Sequence, residues 1–378
     1  MPNNLKLIAI AYDLSFRHAA EIFSGAADYI QSRSLDWQLL PLNFGFEAKL
    51  MELAKSGRLR GAIGTFVSDA WIRGLHACGV AAVNLFDFSK ITSVPTVRLH
   101  DEAIGQIAVR HLLEQGAKSL AFIGQDRAHF NQIRRRAMIA ACPPEHYLEI
   151  DPLAPRRQQA LRLSQARQPV GVLCSDDRIA RELCNEAKLL DLEIGHDLLI
   201  IGIGNEPSES TFAGIGLSSF EIPSREIGFR AARQMDLLLR GEKQICHPPA
   251  IDKITAKLLF RESTLASPQA RLAERTMAAI RASLAQSDFD IASLSRQMGV
   301  SRRSLELATR HQFDKSPYQI LSELRLVKAK KMLLETNTTI TKIGEICGYP
   351  VPHHFSAWFK QRTGMSPKKF RYLLEERS

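Results

Sequence analysis

Near its C-terminal end the chain repeats one helical signature, and that repeat restricts what these residues can become. Segments 291–305 (IASLSRQMGVSRRSL) and 340–355 (ITKIGEICGYPVPHHF) begin about fifty residues apart. In each, apolar residues recur at i, i+3 or i+4: Ile291, Leu294 and Met298, then Ile340, Ile343 and Cys347. That spacing sets them on one stripe of a short helix. Gly299 and Gly348 follow, where a residue at ease with positive φ ends the helix and turns the chain. A second helix then starts, behind Ser301 as N-cap in the first copy. It carries Arg302, Arg303, Glu306 and Arg310 outward in the first copy, and His353, His354, Ser356 and Lys360 in the second. Phe355, Trp358 and Phe359 form its packed side.

This is the pattern of a helix-turn-helix, whose second helix enters the major groove of duplex DNA. One copy reads equally well as a plain helical hairpin. Two copies joined by a helix predicted over 316–335 do not. That connecting segment has no internal glycine, and Pro317 sits in its first turn, where proline is tolerated. At 1.5 Å per residue it spans roughly 27 Å. One duplex turn is ~34 Å, so two recognition helices reach successive major grooves on one face. Charge agrees. Residues 268–378 hold 19 Lys+Arg against 10 Asp+Glu, whereas 1–267 hold 31 against 30. A basic surface supplies the sequence-independent part of DNA affinity.

These residues resemble the AraC/XylS-type DNA-binding domain over 271–374. The likeness rests on 298–301 (MGVS), Ser316-Pro317, 325–334 (RLVKAKKMLL), 340–349 (ITKIGEICGY), 355–360 (FSAWFK) and 364–371 (GMSPKKFR). It implies that one polypeptide carries both recognition helices. Arg303, Glu306, His353 and Ser356 are then expected at base edges, and Arg302, Arg310 and Lys360 at phosphates. The chain departs from the pattern in three places. Leu307 stands where an arginine is usual, Thr309 where a phenylalanine is usual, and Ala357 where an arginine often occurs.

Across the first 265 residues, strand-like and helix-like segments alternate. Strands are predicted at 5–12, 37–42, 61–67, 81–86, 119–124, 170–174 and 198–203, and helices at 16–33 and 102–115. Apolar, glycine-bounded strands in a βαβ rhythm indicate parallel sheets covered on both faces. The rhythm restarts after residue 101, and the length suits two sheets better than one. Ligands of such sheets bind at the carboxyl ends of the strands, in a cleft between lobes. Nucleotide and catalytic signatures are lacking. Gly202-Ile-Gly204 has no third glycine, and there is no P-loop lysine, G-x-S-x-G or H-E-x-x-H. No cofactor is expected.

This half resembles the LacI/GalR-type effector-binding domain, which has the periplasmic-binding-protein fold. The matching stretches are 97–101 (VRLHD) with Gly105, 121–124 (AFIG), 172–177 (VLCSDD), 201–205 (IGIGN), 218–220 (SSF) and 227–229 (IGF). The order of the two parts is similar to that of AraC-family proteins of the xylose-operon-regulator type. The resemblance implies an α/β two-lobed periplasmic-binding-protein-like sensor domain over 1–262 and a linker over 263–270. An all-α domain with two helix-turn-helix motifs follows over 271–378. It also implies a carbohydrate effector. Asp177 and Arg134 are carried over as polar contacts to a sugar, with Asn205, Asp13 and Phe16 facing the same cleft. Phe16, Phe86 and Trp71 are candidate stacking faces for a sugar ring. Gly204 replaces an aspartate that often holds sugar hydroxyls, which leaves the identity of the sugar open.

The first residues show no signal-peptide core, and no apolar run is long enough to span a membrane. The six cysteines form no C-x-x-C pair, in keeping with buried thiols in a reducing cytoplasm. Taken together, these features predict a cytoplasmic regulator without enzyme activity, and the resemblance alone implies that it is a homodimer. Its partners would be a double-stranded DNA operator, a small carbohydrate effector and, if it activates carbohydrate-use genes, RNA polymerase. Repression stays open. The rival reading is an enzyme acting on a small substrate in the α/β half, with a basic end that only localises it to DNA.

Overall fold

The structure is a computed structural model that describes residues 5–12, 17–42, 45–125, 127–241, 251–265, 268–284, 286 and 289–375. It divides into two compact units, Met1–Thr264 and Leu265–Ser378, each of which is described by itself.

The first unit contains two sheets. Its strands are β1 Lys6–Ala11, β2 Trp37–Leu42, β3 Leu59–Gly64, β4 Ala81–Leu85, β5 Thr96–Leu99, β6 Ser119–Ile123, β7 Val170–Cys174, β8 Leu198–Gly204, β9 Ser218–Glu221, β10 Ile251–Ile254 and β11 Lys257–Leu259. The first lobe is a six-stranded parallel sheet in the order β10-β5-β4-β3-β1-β2. The second is five-stranded, β11-β9-β8-β7-β6, and parallel except at its edge, where β11 runs antiparallel to β9. That three-residue edge strand corrects the expectation of purely parallel sheets.

Every residue of β6, β7 and β8 is buried. This is why these strands read as unbroken apolar runs: helices cover both faces of a parallel sheet. The chain passes between the lobes after β5, after β9 and between β10 and β11. After β9, the helix Ser224–Leu239 returns to pack on β3, β4 and the helix Arg17–Arg33 of the first lobe. The approach is close because two glycines face the opposing backbone. A Cβ on Gly25 would lie 1.8 Å from the Arg225 carbonyl oxygen, and one on Gly228 would lie 1.9 Å from that of Ile22.

The predicted strands are present with ends shifted by a few residues; β3, for example, spans Leu59–Gly64 rather than 61–67. Strands β5, β9, β10 and β11 were not anticipated. They have four residues or fewer, and β10 pairs with β5 across about 155 residues of chain, so no local pattern marks them.

The second unit is helical among its described residues. Ile291–Met298 and Arg302–Phe313 form the first helix-turn-helix, and Ile340–Ile346 and Pro352–Thr363 form the second. Pro317–Glu335 joins them, with Pro268–Ala282 and Pro367–Glu375 at either end. Each motif has its own apolar core. Leu294, Leu305, Ile320 and Leu321 anchor the first, and Ala329, Leu333, Ile343, Phe355 and Phe359 anchor the second. The joining helix supplies residues to both cores. Its 19 residues span roughly 28 Å.

Local chemistry explains its start. Ser316 accepts a hydrogen bond from the Gln319 amide, the Gln319 side chain accepts one from the Ser316 amide, and Pro317 occupies the first turn. The two turns also form as read from sequence, with Gly299 at φ 66° and Gly348 at φ 80°. In this unit Thr309 is fully buried, and its hydroxyl donates to the Leu305 carbonyl at 2.9 Å. A hydroxyl that bonds its own helix fits where the related pattern has an aromatic ring.

Candidate functional site

A cleft of about 1100 Å³ opens in the first unit at the carboxyl ends of the strands. Tyr12 follows β1, Thr65 follows β3, Phe86 follows β4, Ser175 follows β7 and Gly204 ends β8, and all of them line it. Arg134 comes from the helix His129–Ala141 and is buried at the cleft wall. Its Nε donates to Asp101 Oδ1 at 2.7 Å, and its Nη1 donates to the Ser175 carbonyl at 3.3 Å and to Asn131 Oδ1 at 3.4 Å. The guanidinium lies 4.6 Å from the centre of the Phe130 ring. Arg98 Nη1 shares Asp101, donating to Oδ2 at 3.2 Å. This charged triad, with Phe130 against the guanidinium, holds Arg134 in one orientation at the cleft wall.

Asp177 begins the helix Asp177–Lys188 and is 2 % exposed. Its Oδ1 accepts from Ser219 Oγ at 2.6 Å and its Oδ2 from the Glu206 amide at 2.7 Å. Burial outweighs these two hydrogen bonds and pushes its pKa up to about 6. Gly204 explains part of this packing. Its φ of +136° suits glycine, and a Cβ there would lie 3.4 Å from Asp177 Oδ2 and 3.6 Å from His18 Nε2. Both are ordinary van der Waals contacts, so it is the backbone conformation, rather than lack of space for a Cβ, that favours glycine here.

The two lobes meet across the cleft on two sides. On one, His18 Nε2 of the first lobe lies 3.0 Å from Glu206 Oε1 of the second. His18 Nδ1 is held 2.8 Å from Ser224 Oγ, and Arg17 Nη2 donates to the Asn205 carbonyl at 3.1 Å. Burial lowers the His18 pKa, and Glu206 only partly offsets this. On the other side, the His129 amide donates to the Phe88 carbonyl at 2.7 Å, and His129 Nε2 lies 3.6 Å from Asp87 Oδ2.

Among the residues expected to contact ligand, Arg134 and Asp177 line the cleft together. Asn205 sits beside it with its side chain committed elsewhere: Oδ1 accepts from Arg261 Nη2 at 2.6 Å, and Nδ2 donates to Glu221 Oε1 at 3.2 Å. Asp13 and Phe16 lie outside the described residues. Phe86 lines the cleft, whereas Trp71 packs against Phe66 in the first lobe's core. The sequence reading missed His18, Glu206 and Thr65. No motif marks them; they meet only because β1, β3 and β8 end on one side of the fold.

In the helical unit, Arg302, Arg303, Glu306 and Arg310 are exposed on Arg302–Phe313, as are His353, His354 and Lys360 on Pro352–Thr363. Ser356 is half-buried. Glu306 and Arg310 are not independent, since Arg310 Nη2 donates to Glu306 Oε1 at 3.0 Å. Leu307 is 55 % exposed on the same helix, and Ala357 is exposed on the second, so both departures fall on outward faces. Phe355 and Phe359 are fully buried, and Trp358 stacks on Tyr349 at 4.6 Å. Arg325, half-way along the joining helix, donates Nη2 to the Phe289 carbonyl at 3.2 Å and lies 5.7 Å from the centre of the Tyr349 ring. It therefore links the two cores.

Comparison with known proteins bears on both halves. Residues 294–372 match a family model described as a helix-turn-helix domain, and residues 109–264 match one described as a periplasmic binding protein-like domain. The chain is 28 % identical to the xylose operon regulatory protein of Haemophilus influenzae, covering 73 % of this chain and 74 % of that one. It is 24 % identical to the xylose operon regulatory protein of Escherichia coli, over 98 % and 97 % of the two chains. The solved structure of a xylose-binding transcription activator, XylR, superposes over 99 % of both chains with a TM-score of 0.55 and 21 % identity. A regulator solved with cellobiose, CelR, matches 70 % of this chain and 86 % of that one, with a TM-score of 0.55 and 16 % identity.

Fold, cleft and paired helix-turn-helix motifs thus define a ligand-controlled, DNA-binding transcription regulator, with a periplasmic-binding-protein-like sensor ahead of a helix-turn-helix domain. Its particular relatives along the full length are the xylose operon regulatory proteins. Among the described residues, no helix is long and apolar enough to cross a membrane.

Proposed function

We propose that this regulator is a cytoplasmic homodimer that activates carbohydrate-use genes, together with RNA polymerase, when a sugar or sugar derivative occupies the cleft. The observation that carries this reading is Arg134, locked by Asp101, lining the same cleft as the buried Asp177. A guanidinium and a carboxylate at fixed angles suit the paired donors and acceptors of a sugar's hydroxyls. The apolar rings beside them suit its C–H face.

Arg134 and Asp177 are assigned to the ligand. Arg303, Glu306, His353 and Ser356 are assigned to base edges, and Arg302, Arg310, His354 and Lys360 to the DNA backbone. The linker is assigned to 263–270, a span that includes the boundary between the two compact units at Thr264 and Leu265. The cleft works by binding rather than turnover: a ligand that fits the bridged arrangement of lobes better than the open one shifts the balance between them.

The test is selection of bound duplexes from a random pool by the full chain, with and without a panel of sugars. Recovery of a repeated half-site whose enrichment changes with one sugar is the expected result. Enrichment indifferent to every sugar would sink the effector assignment. Sequence-blind binding would sink the assignment of the recognition helices.

A further inference from the structure

The cleft is roomy and carries an exposed apolar patch on its first-lobe wall. The lobes already touch, through His18 and Glu206 on one side and through the Phe88 carbonyl and His129 on the other. The volume of about 1100 Å³ is therefore that of a bridged cleft. It lies just above the roughly 300–1000 Å³ of clefts that take drug-sized ligands, so it has room for more than a single sugar ring.

Polar groups line both lobes, Asn131, Arg134, Ser175 and Asp177 on the second and Tyr12, Arg17, His18, Glu47 and Thr65 on the first, but the first lobe also carries an apolar patch. The first lobe presents Val67, Phe86 and Phe88 from the ends of β3 and β4. Val67 is 54 % exposed and Phe88 is 41 % exposed, although the lobes are bridged. Phe88 meets Phe130 edge-on at 6.1 Å, and Phe86 lies 5.7 Å from Tyr12. Beside them, the Thr65 hydroxyl is shielded from solvent and has no hydrogen-bond partner among the described residues.

The backbone here is strained as well. Phe86 and Asp87 are consecutive non-glycine residues in the left-handed region, at φ 63° and 55°. Such a pair is disfavoured for non-glycine residues and persists where the surroundings impose it, often at ligand sites. The outcome of that strain is a pair of phenylalanines on the cleft wall.

From the bridged volume, the exposed apolar patch and the strained loop that presents it, we infer that the effector is a carbohydrate carrying an aromatic substituent. The sugar lies against Arg134 and Asp177, and the ring lies against Val67, Phe86 and Phe88. This rests on the carbohydrate reading of the same cleft.

The experiment is calorimetric titration of the full-length protein with paired methyl and phenyl β-glycosides of xylose, glucose and galactose, and with the corresponding β-linked disaccharides. One phenyl glycoside should bind at least tenfold tighter than its methyl partner. Phe88→Ala should erase that gain while changing the methyl glycoside's affinity by less than about twofold. Phe88 is part-exposed, so the variant should fold; its thermal transition checks this, and Val67→Ser provides a second, milder probe. Equal affinity for methyl and phenyl glycosides, a gain that survives Phe88→Ala, or a disaccharide that outbinds every phenyl glycoside would each overturn the inference and leave the carbohydrate reading standing. No binding by any of these compounds would overturn both.

Discussion

Replacing Asp177 by asparagine should make the sensor more stable above neutral pH, even though it removes a charge from a binding cleft. Asp177 is 2 % exposed and its pKa rises from an ordinary 3.8 to about 6, because burial disfavours the ionised form more than Ser219 and the Glu206 amide favour it. For a carboxyl whose folded value lies above its unfolded value, the unfolded chain releases its proton first as pH rises. Folding therefore loses free energy between about 3.8 and about 6 and stays at the lower level above that window. At 1.36 kcal/mol per tenfold, the loss is roughly 3 kcal/mol.

Asparagine mimics the protonated group in shape and keeps an acceptor for the Glu206 amide. The expected gain for Asp177→Asn at pH 8 is roughly 1–3 kcal/mol after allowing for a weaker bond to Ser219. For a unit of this size that is a rise in Tm of about 2–5 °C. Thermal melts of parent and variant between pH 4 and 8 measure it, and the gap should close as pH falls through 6. A variant less stable at pH 8 by an amount that does not change with pH would show that the carboxylate is favourable where it sits, and would refute the reasoning. The same variant should lose sugar affinity, which separates the residue's two roles.

Other predictions follow from the same geometry. His18→Gln should flatten the loss of sensor stability as pH drops below 6.5. The buried imidazole has a lowered pKa, so the unfolded chain takes up the proton first, and melts at pH 5.5 and 7.5 would show the difference. Gly204→Asp should lower Tm rather than restore a sugar contact. The residue's φ of +136° is strained for any side chain, by about 1–3 kcal/mol, and its carboxylate would crowd Asp177; Gly204→Ala isolates the strain. Gly348→Ala should weaken specific DNA binding and the helical unit's stability together, because φ is +80° and a Cβ would lie 2.4 Å from Arg325 Nη2. Arg303→Ala should cost ~1–3 kcal/mol of discrimination at one base pair. Lys360→Ala should weaken all duplexes alike and shallow the salt dependence, as competition binding at two salt concentrations would reveal.

The helical unit was readable from sequence because its signals are local. Stripes such as Ile340, Ile343 and Cys347, caps such as Ser316 with Gln319, and the turn glycines each lie within a few residues of what they determine. Much of the sensor was readable too, since buried parallel strands are apolar runs. What sequence did not disclose depends on long-range meetings. Strand β10 completes a sheet begun about 245 residues earlier. His18 meets Glu206 across 188 positions. Arg134 and Asp177 were expected in the cleft from motif position alone, whereas the orientation of Arg134 depends on Asp101, which no motif paired with it. Asn205 shows the opposite case: it lies next to the cleft in sequence, but Arg261, 56 residues away, engages its side chain.

That engagement has a mechanical consequence. Asn205 and Glu206 form the tip that the first lobe grips through Arg17 and His18. The same Asn205 holds Arg261, and just beyond it Ser263 donates to the Ile200 carbonyl at 2.6 Å while Thr264 Oγ1 lies 2.7 Å from Ser218 Oγ. The polypeptide therefore leaves the sensor riveted to the flank of β8, the strand whose far end is the gripped tip. Strand β8 is thus fastened at its cleft end to the first lobe and along its flank to residues 261–263, while Thr264 is tied to the neighbouring β9, so a displacement of the tip would load the same strand that anchors the last residues of this unit.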